Sequence, residues 1–278
     1  MSTIVMPSAF DLARAVCPAG TEIQAPSVRF SAQIGTPAWP FISSRTTEQA
    51  LPGTLIVRPG LDQGLGYADE VDDGEGEQDR DRDGGLWARV ATDLSGTGTV
   101  QNALPQPYRQ RALVDGLLCQ VCAGPSAKGK DGWLFVLPGG PKVPSVRDTQ
   151  WGEGLIEATP PVCLSCAHLS AERCPSLGRV AALWVKRPTL YGVYGTTYRL
   201  GPRGIEPVGP GIAKYETPAL GWTVATQMLR ELTETCLDQG LTARLRALHT
   251  RRRPKAPPRC PHAGLPSSNP DVLNRNLG

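Results

Sequence analysis

The chain has 278 residues and a formal net charge of +3, so it is long enough for one or two domains with a buried core, and the total charge favours no class of partner. Its 31 glycines and 27 prolines favour short elements joined by turns. No stretch reaches the ~18 consecutive apolar residues of a membrane span, and the first residues lack the basic and then apolar pattern of a secretory signal. We therefore expect a cytoplasmic protein with no membrane partner.

Residues 1–60 are expected to form an N-terminal region with one helix and an irregular β region. The apolar spacing predicts the helix at residues 8–16, and short β runs follow at 27–30 and 53–58 among several prolines. Cys17 has no neighbour at ligand spacing, so it is interpreted as a packed or free thiol.

Residues 61–85 are predicted to form an acidic loop, since residues 69–83 hold nine acidic residues and two arginines. Residues 79–84 match the opening of a calcium-binding loop, with carboxylates at alternate positions and then a glycine. The twelfth position of that loop is Val90, where a bidentate glutamate is needed. A solvated loop before a strand at 86–91 is the alternative, and whether Asp79, Asp81 and Asp83 bind Ca²⁺ stays open.

The strongest signal is a set of two Cys-x-x-Cys pairs separated by 40 residues. Cys119 and Cys122 form the first pair, and Cys163 and Cys166 form the second. Two such pairs commonly supply four thiolates to one tetrahedral Zn²⁺. The sequence therefore predicts one structural Cys₄ zinc site, and Zn²⁺ is the expected cofactor.

Each pair lies in a segment that suits thiolate ligands. Residues 117–125 are expected to form a short strand and a tight turn, in which Gly124 takes the unusual backbone angles. A strand is predicted at 132–137 with a return strand at 154–158. A helix at 162–173 would carry the second pair in its first turn, where free N–H groups and the helix dipole stabilise negative sulfur.

Two further residues are candidate ligands or hydrogen-bond partners of the sulfurs. His168 and Cys174 follow the second pair closely, but four thiolates already complete a structural site. Neighbouring cations are expected to offset the formal charge of −2 on the site. These cations are Arg111, Lys128, Lys130 and Arg173.

The order of knuckle, hairpin and helix with the second pair at its start is that of a treble-clef zinc finger. In this respect the chain resembles the His-Asn-His (HNH) endonuclease group, including the Arg-rich lead-in at residues 109–113. The group places its general-base histidine between the two pairs, whereas this chain has no histidine before His168. The resemblance thus implies a nuclease-like scaffold that lacks the base for phosphodiester attack.

The chain also resembles a set of uncharacterised actinobacterial proteins over about half of its length. That resemblance implies the same finger but brings no known activity. The shared motifs lie at residues 66–70, 79–81, 86–90, 109–111, 118–122, 160–167 and 174–177.

A hairpin is expected from residues 179–186 and 191–200, followed by a Gly/Pro-rich connection at 201–211. Thr217 and Pro218 then open the clearest predicted helix, which Gly240 ends. Its apolar face would hold Trp222, Ala225, Leu229, Leu232 and a buried Cys236.

A second amphipathic segment follows that helix, with Leu241, Leu245 and Leu248 on one side. Residues 251–278 are expected to be a disordered basic and Pro-rich tail, in which Cys260 and His262 form at most a metal-binding fragment.

The expected fold class is therefore α+β, with a zinc-finger-centred domain at residues 86–250. The leading functional hypothesis is a non-catalytic zinc protein that binds nucleic acid, as an accessory protein of a mobile element or of DNA transactions. Its proposed phosphate contacts are Arg244, Arg246, Arg251, Arg252, Arg253, Lys255 and Arg259.

Two alternatives come from other functional classes. The first is a protein–protein adaptor with a structural zinc site, and the second is a divergent HNH-type endonuclease, for which no clustered catalytic residues are found. In the adaptor, exposed aromatic residues would include the contacts with the protein partner. These residues are Trp87, Trp133, Trp151 and Trp184.

Overall fold

The computed structural model describes residues 40–58, 64–70, 79–93, 97–138, 152–174 and 180–251, which form an α+β fold. In chain order the strands are β1 (Ser43–Arg45), β2 (Leu55–Val57), β3 (Leu65–Tyr67), β4 (Leu86–Trp87), β5 (Val100–Pro105), β6 (Lys128–Gly129), β7 (Gly132–Pro138), β8 (Leu155–Glu157), β9 (Val180–Gly201), β10 (Gly204–Lys214) and β11 (Thr223–Leu237). The helices are α1 (Pro107–Asp115), α2 (Leu164–Arg173), α3 (Pro218–Gly221) and α4 (Gln239–Arg251).

Several predictions fall on residues that are not described. The predicted helix at 8–16, Cys17, Trp151 and the tail from residue 252, with Cys260 and His262, lie outside the described residues. The domain boundaries after residues 60, 85 and 250 stay predictions. Within the described ranges, the helices are all too short or too polar to cross a bilayer.

The main sheet has seven strands in the order β4-β11-β9-β7-β6, with β10 beside β9 and β8 beside β11. The long antiparallel pair of β9 and β11 forms its centre. The predicted strand at 132–137 is confirmed as β7, but its partners are β6 and β9. The predicted return strand is β8, and it pairs with β11 rather than with β7.

The helix predicted to begin at Thr217 is wrong beyond its first turn. α3 ends at Gly221, and the rest of that segment is the strand β11. A register shift between Ala225 and Gln227 adds one residue to β11, so Ala225 and Met228 contact the same core although they are three residues apart. This bulge gives a strand the spacing of a helix.

Two further predictions in this region are corrected. Cys236 is exposed on β11 instead of buried, because the residue belongs to the exposed end of a strand rather than to a helix face. Gly240 lies inside α4 and does not end a helix. The apolar side predicted for the following segment is confirmed, since Leu241 and Leu245 on α4 are buried.

The hairpin predicted within residues 179–200 is a single continuous strand, β9. Pro188 lies inside this strand opposite Leu232 of β11, and its carbonyl oxygen accepts a hydrogen bond from Arg230. The predicted connection at 201–211 mostly forms β10, which pairs with β9. β10 is an edge strand in the described part of the sheet, where Pro207 and Pro210 are tolerated.

The main sheet is buried on both faces around β7. Leu134 and Val136 point to one face and Phe135 and Leu137 to the other, as strand alternation requires. We call the first face, with the helices packed on it, the cysteine core. It contains Cys119, Val121, Cys122, Leu134, Val136, Val162, Cys166, Ala167, Ala171, Val180, Ala182, Leu241 and Leu245.

Helix α1, which precedes the first cysteine pair, was not predicted. Pro107 occupies its first turn and the Gln106 side chain caps it by accepting a hydrogen bond from Arg109 N. At the other end, Arg230 donates to the carbonyl oxygens of Val114 and Asp115 at 2.8 and 2.9 Å. Carbonyl oxygens in the last turn of a helix need partners from outside the helix, and by supplying them Arg230 ties the end of α1 to β11.

Candidate metal centre

The fold brings the four predicted ligands together in one cluster. The Sγ atoms of Cys119, Cys122, Cys163 and Cys166 all lie within 4.8 Å of one another. In an ideal tetrahedral site with Zn–S bonds of ~2.3 Å, neighbouring sulfurs are about 3.8 Å apart. A small contraction would therefore let one ion contact all four sulfurs. A multi-iron cluster needs a larger distance between its thiolate sulfurs, because these sulfurs bind different irons.

The first pair lies in a tight turn after α1. Cys119 N donates to Gly124 O at 2.8 Å, and Ala123 N donates to Cys119 O at 2.8 Å. The left-handed backbone conformation predicted for Gly124 is instead adopted by Ala123, with φ of 56°. The turn is thus confirmed, but its strained position is one residue earlier than the glycine suggested.

The second pair begins α2, as the sequence predicted. Cys163 is the N-cap residue and Cys166 lies in the first turn. Backbone hydrogen bonds join the two pairs, since Gln120 N donates to Pro161 O at 3.0 Å. Val162 N also donates to Leu134 O at 2.9 Å. The two halves of the cluster are therefore positioned by the backbone.

The cluster is shielded from solvent except at one ligand. Cys119, Cys122 and Cys166 are buried, whereas Cys163 is partly exposed. Burial on three sides, together with the absence of a disulfide between these residues, suits a closed structural site more than a catalytic site with an open coordination position.

The four thiols lie close enough together to alter one another's pKa values. The Cys122 thiol donates to Cys119 and, with the Cys166 thiol, lowers the pKa of Cys119 to about 7. Donation from Cys119 is the main cause of the lowered pKa of Cys163. The pKa values of Cys122 and Cys166 are raised, because these thiols keep the protons that they donate. A bound divalent cation would replace these shared protons.

The additional ligand candidates are not part of this cluster. Within the described residues, the group able to hold a metal consists of the four cysteines alone. His168 Nδ1 lies 2.8 Å from Leu164 O, in the preceding turn of α2. Cys174 is the C-cap residue of the same helix.

Two of the four cations expected to offset the charge of the site stack on aromatic rings instead. Arg111 stacks over Trp87 at 5.0 Å and donates to Arg80 O. Lys128 lies over the Trp133 ring at 4.1 Å. Lys130 and Arg173 are exposed.

The acidic residues of the calcium-like motif serve the fold. Both oxygens of Asp79 accept hydrogen bonds from Arg89, at 2.8 and 2.6 Å. Asp81 accepts from Trp87 Nε1 and from the Tyr215 hydroxyl, each at 3.0 Å, and also from two backbone N–H groups. Because these carboxylates are already paired, the calcium interpretation loses its support.

The structure describes only some of the residues that were predicted to contact nucleic acid. Arg244 is exposed on α4, whereas Arg246 donates to Val180 O at 2.8 Å and so helps to hold α4 on the sheet. Arg251 is the last residue of α4. Arg252, Arg253, Lys255 and Arg259 lie outside the described residues.

The aromatic contacts assumed for the adaptor are not generally exposed. Trp87 is completely buried, so its assignment as an exposed residue is wrong. The cause is its packing in a core cluster with Val193 and Met228, where its indole N–H is satisfied by Asp81. Trp184 is partly buried and donates to Asp238, and Trp133 is partly covered by Lys128.

The contact between α4 and the metal site was missed. Leu241 and Leu245 of α4 belong to the cysteine core, whereas nothing in the sequence alone connects the basic C-terminal segment with the cysteines. The leucine spacing gave the correct face of α4. It contained no information about what this face would contact.

Comparison with known proteins gave no relative, since neither a protein-family model nor a curated protein nor a solved structure matches this chain.

Proposed function

We propose that this chain is a non-catalytic zinc-binding protein whose Cys₄ site is structural. The observation that carries the proposal is the convergence of four sulfurs within 4.8 Å. The proposed ion would join the turn after α1 to the start of α2, and β7 and α4 pack against these ligands in the cysteine core. The turn, the β6–β7 hairpin and α2 follow one another in an order that supports a treble-clef zinc finger resembling a degenerate HNH endonuclease.

Metal analysis tests this proposal directly. Protein purified without added metal is expected to contain one zinc per chain, because four thiolates at this separation favour a tetrahedral ion. Iron in place of zinc would give a coloured protein and would correct the identity of the metal. Protein that is folded, reduced and free of metal would contradict the proposal.

We further propose that α4 and the segment after it contact the phosphates of nucleic acid. α4 packs its leucines on the cysteine core and leaves Arg244 in solvent. No acidic residue occurs between residues 239 and 259, so the basic side chains are not neutralised by neighbours in sequence. Arg246 is given a smaller part in this surface, because its Nε donates to Val180 O. An accessory role in DNA transactions would follow from such binding.

The salt dependence of DNA binding tests the role of this segment. Neutralising about four phosphates would give a log–log slope of roughly −3.6, at ~0.9 per contact. Replacing Arg251, Arg252 and Arg253 with alanine is expected to flatten the slope by up to about 2.7 on the same basis. Binding should be tolerant of sequence, because phosphate contacts do not read bases.

The control is a second triple variant, which removes three positive charges from exposed positions on the main sheet. Arg187, Arg199 and Arg203 have side chains that are 73%, 70% and 91% exposed, and their joint replacement with alanine should leave the slope nearly unchanged. Equal slopes for the two triple variants, or no DNA binding by the intact protein at low salt, would favour the protein–protein adaptor.

A plasmid-nicking assay separates the binding protein from a divergent nuclease. No nicking is expected with Mg²⁺ or Mn²⁺, since no histidine lies between the cysteine pairs to act as a base. Nicking by wild-type protein that disappears in the His168→Ala variant would show that the reaction uses a base on α2 instead.

A further inference from the structure

A cavity of about 190 Å³ lies beside the first cysteine pair. It forms where residues of β1, β5, α1, the cysteine turn and β11 meet, so segments that are distant in sequence supply its walls. Ile42 and Leu104 provide apolar surface, and Ser43, Gln110, Gln120 and Gln227 provide polar groups. No charged side chain lines the cavity.

One of the glutamines is fixed by the fold. The Gln110 Nε2 group donates to Ala158 O at 2.8 Å and to Met228 O at 2.9 Å. Its Oε1 atom accepts from Met228 N at 2.8 Å. Gln110 therefore forms a rigid part of the wall, with its amide groups already engaged.

The other polar groups lack partners. Among the described residues, nothing bonds to the side chains of Gln120 and Gln227 or to the Ser43 hydroxyl. Ser43 is only 5% exposed as a residue, and its hydroxyl lies at the cavity wall rather than among the fully buried atoms that lack a partner. Donors and acceptors on a cavity wall that have no protein partner are free to hydrogen-bond a ligand that enters the cavity.

The lining defines the chemistry of that ligand. Neutral walls disfavour phosphates and carboxylates, which bind where cations or helix N-termini face them. A carboxamide presents a donor beside an acceptor, which matches the edge of a nucleobase. The volume is below the ~300 Å³ of sites for drug-sized ligands, so a single ring system fits better than a whole nucleotide.

The sheet adds an aromatic surface next to the polar groups. β9 places Tyr194 directly opposite Gln227, so the two side chains share one face of the sheet. Tyr194 is 37% exposed, which leaves its ring accessible for stacking. Stacking on an aromatic ring is a common means of holding an unpaired base.

We propose that this cavity binds one nucleobase, with Gln120 and Gln227 on its edge and Tyr194 stacking beside it. The base would come from a free nucleoside or from a single strand. The inference depends on the proposed zinc site only through Gln120, which lies between two metal ligands and whose backbone is held by Pro161 O and Ile42 N. It does not depend on the phosphate contacts proposed for α4.

Titration of the zinc-loaded full chain with adenosine, guanosine, cytidine and uridine tests the proposal, with calorimetry or ligand-observed NMR as the readout. At least one nucleoside is expected to bind with 1:1 stoichiometry and a dissociation constant on the order of 0.1–1 mM, as suits about ten contacting atoms. Competition by a short single-stranded oligonucleotide would identify a strand as the source of the base. Binding of the nucleoside alone would identify a small-molecule site.

Two variants test whether the nucleoside binds in this cavity. Gln227→Met keeps the size of the side chain and removes the amide, so it should weaken binding about tenfold or more. Gln49→Met makes the same change at an exposed glutamine outside the cavity and should have no effect. Zinc content and far-UV circular dichroism are measured for each variant, so that a folding defect is distinguished from loss of the site.

Three results would overturn the proposal. They are the absence of nucleoside binding by zinc-loaded protein, unchanged binding by a zinc-loaded Gln227→Met variant, and acetamide binding as tightly as the nucleosides. The last result would assign the cavity to simple amides. A protein without zinc would instead contradict the proposed metal site, so failure of the two proposals can be distinguished.

Discussion

Replacing Cys119 with serine is expected to release the metal and to unfold the cysteine core. Structural zinc contributes on the order of 10 kcal/mol to the folding of its domain, which equals or exceeds the whole stability of many domains. Cys119 is fully buried among the other three ligands, so a serine there would also leave a hydroxyl in an apolar environment. No single substitution outside the four cysteines is expected to cost as much among the described residues.

The packing of α4 indicates which segments should become accessible to a protease when the metal is lost. Leu241 and Leu245 share the cysteine core with the ligands, and α2 carries two of these ligands. Limited proteolysis of the Cys119→Ser variant should therefore produce new cleavage sites in both 164–173 and 239–251. Cleavage confined to the turn around residue 119 would show that α4 is held independently of the metal.

An exposed cysteine provides the control for this experiment. Cys236→Ser makes the same chemical change on the outer part of β11. Its zinc content should equal that of the wild type, and its stability should change by no more than ~0.5 kcal/mol. Retention of one zinc per chain by the Cys119→Ser variant would show that Cys119 is not a required ligand.

The sequence predicted the elements whose signals are local. The two cysteine pairs, the helix that begins at the second pair and the apolar strand β7 all depend on residues close in sequence. The leucine spacing of α4 is also local, and it gave the buried face correctly.

The errors arose where distant contacts determine the structure. The bulge in β11 is fixed by its pairing with β9, and without that partner the same spacing indicates a helix. α1 was missed because buried polar side chains hide its pattern. Gln110 bonds to residues 118 positions away and Arg109 to a residue 61 positions away. Such partners are not visible in a sequence window.

Replacing Arg109 with alanine is expected to cause the largest loss outside the cysteine cluster, roughly 3–5 kcal/mol of unfolding free energy. The side chain of Glu48 is 0% exposed and that of Arg109 is 7% exposed. The guanidinium donates to both carboxylate oxygens of Glu48 at 2.7 Å and to Ser43 O at 2.8 Å. Without Arg109 the charge of Glu48 would remain buried and uncompensated, which is the costly state of a broken pair.

A second substitution separates the cost of the lost pair from the cost of the buried charge. Glu48→Gln in the Arg109→Ala background removes the charge and should recover part of the stability. Recovery should be incomplete, because Glu48 also accepts hydrogen bonds from Arg45 N and Asp93 N, and one amide oxygen cannot replace two carboxylate oxygens. Chemical denaturation of zinc-loaded protein measures each step.

The matched control is an arginine whose ion pair lies in solvent. Arg203 is 91% exposed and lies 3.4 Å from Glu206, so Arg203→Ala should cost less than ~1 kcal/mol. Zinc content should stay at one per chain in the folded Arg109→Ala variant, since the residues that hold α1 to β1 are not metal ligands. A loss for Arg109→Ala as small as that for Arg203→Ala would mean that water reaches Glu48, and that α1 is not fixed to the 43–48 segment by a buried charge pair.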